Sequence, residues 1–298
     1  MSLQSRLATP LARTALTCLL IYSPAAFAQA WLPAAGTAGY SLSYTDIFDK
    51  KHNLPNGDTI DVGHMRYYSL GLVVAYSPTD RLLLSAGAPL TSTAYHGTHP
   101  HPTEVDDGTF HTTMTDLRFE AHYQLALEPV ALAPYIAYVV PTHHYQTLGH
   151  AAPGRELHEL WLGFVAGKSL DRYIPRTYLQ ARLNYARVEK VANTSHDKWN
   201  ADLEIGYFIT PDISIRTLAQ WQDTRGGIPV PIPMSNPLYP YHDRLGAEDF
   251  FNLGAGSSWQ YSDRSSVYCL YNVGLEGRNG HRLGRAISVG FSHGFRLN

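Results

Sequence analysis

The chain has 298 residues, with 23 Lys plus Arg against 25 Asp plus Glu, a formal charge of −2 and only 16% charged residues. That balance leaves no basic surplus to neutralise phosphates, which excludes an electrostatic nucleic-acid binder, and 44% hydrophobic content excludes a disordered chain. Beyond the N-terminus no run reaches the roughly 18–20 apolar residues of a spanning helix; the longest, Val130 to Pro141, contains two prolines.

Residues 1–28 have the layout of a secretory signal. Arg6 and Arg13 are the only charges before Asp46, the apolar run Thr14 to Ile21 follows, and Ala26-Phe27-Ala28 supplies a small-x-small cleavage site. A lipid anchor at Cys18 is disfavoured, because Thr17 precedes it where a small residue is expected. Removal of this segment leaves Cys269 as the sole cysteine, so no internal disulfide is available to the exported chain.

The remainder reads as strands of period two. In Leu117-Arg118-Phe119-Glu120-Ala121-His122-Tyr123-Gln124-Leu125 every odd position is apolar or aromatic and every even one polar. Leu179 to Tyr185, Ala201 to Tyr207, Ile213 to Thr217, Phe251 to Trp259 and Ile287 to Ser292 repeat the pattern. Twelve such segments are predicted, over residues 38–48, 64–76, 81–95, 114–127, 131–146, 156–169, 174–188, 198–210, 213–223, 247–261, 264–276 and 284–297. Tight turns follow the even-numbered segments, as at Glu128-Pro129 and Pro211-Asp212. Longer polar or Gly/Pro-rich loops follow the odd ones, the longest being Thr224 to Gly246. An even strand number with loops sorted by parity predicts a transmembrane antiparallel up-and-down β-barrel of about 12 strands, with short periplasmic turns and long extracellular loops. Tyr76, Tyr207 and Tyr261, each beside a short turn, suit an interfacial girdle. The main alternative is a secreted all-β domain, which has no reason to sort its loops in this way.

The stretch Thr115-Asp116-Leu117-Arg118, Pro134-Tyr135, Val140-Pro141-Thr142, Gly163 and Ala166-Gly167-Lys168 resembles the outer-membrane meta-pathway phenol-degradation family of transporters. Thr115 and the pair His143-His144 stand where members usually carry glycine and Gly-Asp. The resemblance implies an outer-membrane barrel that passes small organic, including aromatic, compounds. It transfers no catalytic or binding residue.

In a barrel the polar parity faces the lumen. The permeation candidates are Arg118, Glu120, His122, Gln180, Arg182, Asn184, Asp202, Glu204 and Arg216, accompanied by Gln220, Asn252 and Asn272. One reading is a conduit of mixed charge that selects solutes by size and field. The other is a lumen filled by its own ion pairs.

Histidine is the unusual chemical feature, with 15 residues. His96, His99, His101 and His111 lie around the second long loop with Asp106 and Asp107, and imidazole with carboxylate is a ligand set for zinc, copper or nickel. A solvated His-rich loop is the competing reading. Gly290-Phe291-Ser292-His293-Gly294 matches the G-x-S-x-G form of serine hydrolases, but that motif needs a strand-to-helix turn. Here it falls inside the last alternating strand. The chain closes on Phe295-Arg296-Leu297-Asn298, where Phe295 and Leu297 are the candidates for recognition by the assembly machinery.

The sequence therefore points to a channel or transporter in the cell outer membrane. Its expected partners are outer-membrane lipid, a small-molecule solute and the assembly machinery; no cofactor, catalytic residue or nucleic acid is expected. A lipid hydrolase and a metal-capturing barrel are the alternatives.

Overall fold

The computed structural model describes residues 30–97, 101 and 103–297. The export signal expected over residues 1–28, and His99, lie outside the described residues.

One antiparallel sheet closes on itself. Its strands are β1 (Thr37–Asn53), β2 (Thr59–Ile60), β3 (His64–Thr79), β4 (Leu82–His96), β5 (His111–Met114), β6 (Asp116–Tyr123), β7 (Ala131–Pro141), β8 (Glu159–Ser169), β9 (Thr177–Val188), β10 (His196–Phe208), β11 (Ile213–Gly226), β12 (Asp249–Ser262), β13 (Ser265–Arg278) and β14 (Gly280–Arg296). β5 and β6 both pair with β4 and form one stave, interrupted at Thr115, while β2 is a two-residue addition to β1. The wall thus has twelve staves, each paired with its neighbour in sequence, and β1 pairs with β14 to complete the circle. Closure removes both free edges, the condition hydrocarbon imposes on a spanning sheet.

The period-two reading becomes an inside and an outside. Along β10, Leu203, Ile205 and Tyr207 are exposed on the outer surface, while Glu204 between them is 1% exposed. Leu72, Val74, Ile136, Leu162, Ile215 and Val289 extend the apolar outer band over other staves. Tyr76, Tyr207, Trp259 and Tyr261 stand exposed at the short-turn end. Tyr44, Tyr68 and Phe110 form a ring cluster towards the other, with centroids 6.2 and 5.2 Å apart. An apolar belt between aromatic ends is the surface a bilayer requires.

The strand boundaries depart from expectation in one informative place. Residues 277–283 read as a loop, being rich in glycine and charge, but the connection between β13 and β14 is Asn279 alone, in the left-handed region at φ 53°. The two strands pair with one another only from Ser265↔His293 to Asn272↔Ala286. Beyond that point β13 stays on β12 as far as Arg278, and β14 stays on β1 as far as Gly280. The polar residues were extended because each strand finds its hydrogen bonds on its far neighbour. The seam between β13 and β14 is unzipped at the long-loop end.

Inside, the chain ahead of β1 lies against the wall at the short-turn end. The Ala30 amide donates to Gln180 Oε1 at 3.0 Å, the Leu32 amide to Gln124 Oε1 at 3.0 Å, and Gln124 Nε2 donates to the Ala30 carbonyl at 3.0 Å. Ala30 packs with Ala131, Tyr135, Ala137 and Val165, and Trp31 lies beside them. The small inward residues of β7 and Gly167 of β8 leave the space; a Cβ on Gly167 would collide with Ala30 and Trp31. β7 carried apolar residues on both parities because its inner face packs protein rather than water.

Candidate permeation path

The lumen candidates face inward and gather into two networks. The first centres on Glu120 of β6. It accepts from Arg118 Nε, contacts His122 Nε2 at 2.7 Å, and accepts from Arg182 Nη2 of β9 at 3.2 and 3.3 Å. Arg182 Nε also donates to the Tyr135 hydroxyl at 2.7 Å, and its guanidinium lies 4.2 Å from the centre of that ring. Arg118 stacks on Trp161 at 4.2 Å, and His122 stacks on Tyr135 at 4.8 Å.

The backbone explains how β6 and β9 meet over two intervening staves. Ala137 of β7 sits opposite Glu120 and Gly163 of β8 opposite Tyr135, and the inward rings of Tyr135 and Trp161 lie between the two strands, Arg182 over the first and Arg118 over the second. A Cβ on Gly163 would crowd both Tyr135 and Asn184. The long polar side chains fold over these two rings.

The second network joins Tyr178 of β9, Glu204 of β10 and Arg216 of β11. The Tyr178 hydroxyl donates to Glu204 Oε1 at 2.7 Å, and Arg216 Nη1 donates to Glu204 Oε2 at 3.4 Å, with both charged side chains 2% exposed. The Arg216 guanidinium lies 5.6 Å from the Tyr268 ring of β13. Tyr178 lies over Gly206 and Tyr268 over Gly290, each its opposite partner on the next strand, and a Cβ at either glycine would collide with the hydroxyl end of the ring. The remaining candidates bridge these groups: Asn200 Nδ2 donates to Asn184 Oδ1 at 3.0 Å, and Asp202 sits in register between Arg182 and Gln220.

Several lumen residues were not singled out in the sequence. Lys198 Nζ donates to Glu159 Oε1 at 3.1 Å, and Arg66 pairs with Asp46 at 3.1 Å. Tyr135 and Tyr178 escaped notice because an aromatic ring reads as a lipid-facing residue until strand register is known. Glu159 and Lys198 sit near strand ends, where alternation is weakest.

Two cavities lie towards the long-loop end. One of about 350 Å³ is bounded by Thr45, Gln220, Asn252, Asn272 and Ser288 with Ile47, Phe250 and Leu283. Gly274, Glu276 and Arg282 place it beside the unzipped seam. The second, about 290 Å³, lies between the loops and shares Asp49, Glu248 and His281 with the first. Asn252 and Asn272 thus line space, whereas the Glu120 and Glu204 networks fill it.

The candidate metal-binding histidines separate. His96 stacks on His64 with centroids 5.3 Å apart, and His111 contacts Asp107 at 3.0 Å on a partly exposed surface. His101 turns inward to Asp106, with Nδ1 3.1 Å from Oδ2. Asp106 also accepts from the amides of His101, His150 and Ala151 at 2.9, 3.1 and 2.9 Å. Burial pushes its carboxyl upward, but these hydrogen bonds, led by that of His101, outweigh it and bring the pKa down to about 2. Burial holds His150 below the usual imidazole range.

Ser292 of the hydrolase-like motif is fully buried in the straight run of β14 and donates to Ser41 Oγ at 3.3 Å. His293 contacts Ser265 instead, with Nδ1 2.8 Å from its hydroxyl. Ser292 is not presented on a strand-to-helix turn, and Gly290 is accounted for by the Tyr268 ring above it.

No family model matches the chain, and no curated protein matches its sequence. Among solved structures, an outer membrane channel from Pseudomonas putida F1 is similar over 92% of this chain and 99% of its own, with a TM-score of 0.69 and 13% identity. The translocator domain of the autotransporter NalP from Neisseria meningitidis is similar over 87% of this chain and 88% of its own, with a TM-score of 0.51 and 9% identity. The β-domain of the Bordetella autotransporter BrkA is similar over 87% and 100%, with a TM-score of 0.50 and 11% identity. Identities this low speak to architecture only: the chain has the closed twelve-stranded fold of an outer-membrane β-barrel.

Proposed function

We propose that this barrel is an outer-membrane channel through which small organic molecules, aromatic ones among them, pass without a cofactor. The observation that carries this reading is the cavity of about 350 Å³ inside the wall, where amides, hydroxyls and the charged Asp49, Glu248, Glu276 and Arg282 share the lining with Ile47, Phe250 and Leu283. Its size and mixed polarity suit a small amphipathic solute. The family resemblance of Thr115 to Lys168, and the architecture shared with an outer membrane channel, favour the same role. The Arg118–Glu120–Arg182 and Glu204–Arg216 groups then act as fixed charges that narrow the route and set its ion preference.

The test is reconstitution of the full barrel into planar bilayers and into liposomes. Discrete conductance steps, with uptake of small aromatic solutes into the liposomes, are expected. Absence of both conductance and uptake, in preparations whose heat-modifiable migration shows a folded barrel, would reject the channel.

A further inference from the structure

A second cluster of chemistry stands outside the lumen networks, at the long-loop end. Loops far apart in sequence bring His101, His150, His242 and Asp243 together, and the start of β14 adds His281. Asp243 Oδ2 lies 3.6 Å from His101 Nδ1 and 3.7 Å from His150 Nδ1, and Asp243 Oδ1 lies 3.6 Å from His242 Nε2. The His101 and His150 rings are 4.4 Å apart, His101 and His242 5.0 Å, and His150 and His281 5.4 Å. Four of these side chains are about nine-tenths buried: His101 is 9% exposed, His150 6%, His242 7% and Asp243 11%, while His281 is partly buried.

These spacings are too wide for hydrogen bonds, which close to about 2.7–3.2 Å. Those to His150 and His242 match two ligands of one ion, since donors about 2.1 Å from a tetrahedral metal stand roughly 3.4 Å apart; His101 Nδ1 already faces Asp106 Oδ2 at 3.1 Å. Asp243 Oδ2 and His281 Nε2 are both buried and make no hydrogen bond. A buried carboxylate oxygen facing imidazoles across such gaps is costly unless a cation joins them.

We propose that Asp243, His150 and His281 bind one divalent transition-metal ion, with His101 and His242 in reach as further ligands. Single donor atoms of the first three all lie within 4.8 Å of one another, as do those of His101, His242 and Asp243. Imidazoles with one carboxylate select zinc, nickel or copper(II) over calcium or magnesium, which need more oxygens. The only cysteine among the described residues, Cys269, is exposed and plays no part.

The surroundings hold these ligands in place without the ion. Asp106 grips the His101 and His150 backbones together, and Tyr95 stacks on His150 at 4.4 Å. Arg244, next to Asp243, donates to the carbonyls of Arg155 and Glu156 at 2.8 and 2.9 Å and so ties its loop to that of His150. The 290 Å³ cavity, lined by His52, His150, His242, Asp243 and His281, gives the ion a way in. Once bound, it joins two long loops to β14 beside the unzipped seam.

The experiment uses the full barrel in detergent, stripped by a chelator and titrated with zinc by calorimetry. One ion per barrel is expected, with binding weakened at least tenfold by Asp243→Asn and by His281→Gln. Asp106→Asn, which loosens the hold on the His101 and His150 backbones, should weaken it about 10–100-fold. His144→Gln, altering an exposed histidine of the same loop as His150, should leave it unchanged. Heat-modifiable migration establishes that each variant is folded. Cobalt(II) loading of the unaltered barrel gives a second readout that needs no variant. Intense visible bands of a low-coordinate nitrogen and oxygen site support the proposal, and the weak spectrum of the hydrated ion overturns it. Zinc affinity unaltered in folded Asp243→Asn and His281→Gln barrels would overturn it equally.

Discussion

Glu120 and Arg182 meet at 3.2 Å although β7 and β8 separate their strands. The two side chains meet above the inward rings of Tyr135 and Trp161, and Glu120 is the carboxylate that Arg118, His122 and Arg182 share.

Replacing Glu120 by Gln should therefore leave two guanidinium groups without their counter-charge in the lumen. Reversal potentials in asymmetric salt are expected to move towards anions. Unfolding in denaturant should show a loss of about 3–5 kcal/mol, the scale for breaking a buried ion pair from one side.

Arg216 and Glu204 are more deeply buried than the Glu120 group, and their pairing should show strong coupling. Arg216→Met should cost about 3–5 kcal/mol and shift selectivity towards cations, because Glu204 is then uncompensated. Arg216→Met with Glu204→Gln should cost less than the sum of the two single changes, which a double-mutant cycle on unfolding free energies measures directly.

The ring of Tyr178 occupies the volume a side chain at Gly206 would need. Gly206→Val should destabilise the barrel by about 1–3 kcal/mol through overpacking. Adding Tyr178→Ala should recover part of that loss in the same unfolding experiment, although Glu204 then loses a donor.

The segment ahead of β1 is held in the lumen by the Gln180 and Gln124 side chains. Gln180→Leu together with Gln124→Leu removes those bonds, and single-channel conductance should rise as the segment leaves the wall. Unchanged conductance would place the narrowest point at one of the ion-pair networks.

The C-terminal run also has a direct test. Deletion of Phe295 to Asn298 removes Phe295 and Leu297, both exposed on the outer side of the chain's end. Heat-modifiable, membrane-inserted protein should then be lost from cells; normal insertion would exclude a role for these residues in assembly.

Most of the wall was legible in the residues. Alternation along Leu117 to Leu125 or Ala201 to Tyr207 is local information: side chains one residue apart must face opposite sides of a strand, whatever the rest of the chain does. Loop parity followed from the same one-dimensional record, and so did the inward direction of Arg182, Glu204 and Arg216. It failed at residues 277–283, where glycine and charge imitate a loop while hydrogen bonds to β12 and β1 hold the backbone extended.

The amino-acid order by itself thus determined the closed sheet, its apolar exterior and the polar character of its interior, because these depend on period and spacing alone. Tertiary structure alone decided that Glu120 would reach Arg182, that Tyr178 would lie over Gly206, and that Ala30 to Leu32 would pack against β7 and β8. It also decided which histidines gather: neighbours His96 and His111 part, while His101, His150, His242 and His281 converge. Such contacts depend on strand register, on the curvature of the wall and on the paths of long loops. None of these is encoded by the spacing between neighbouring residues.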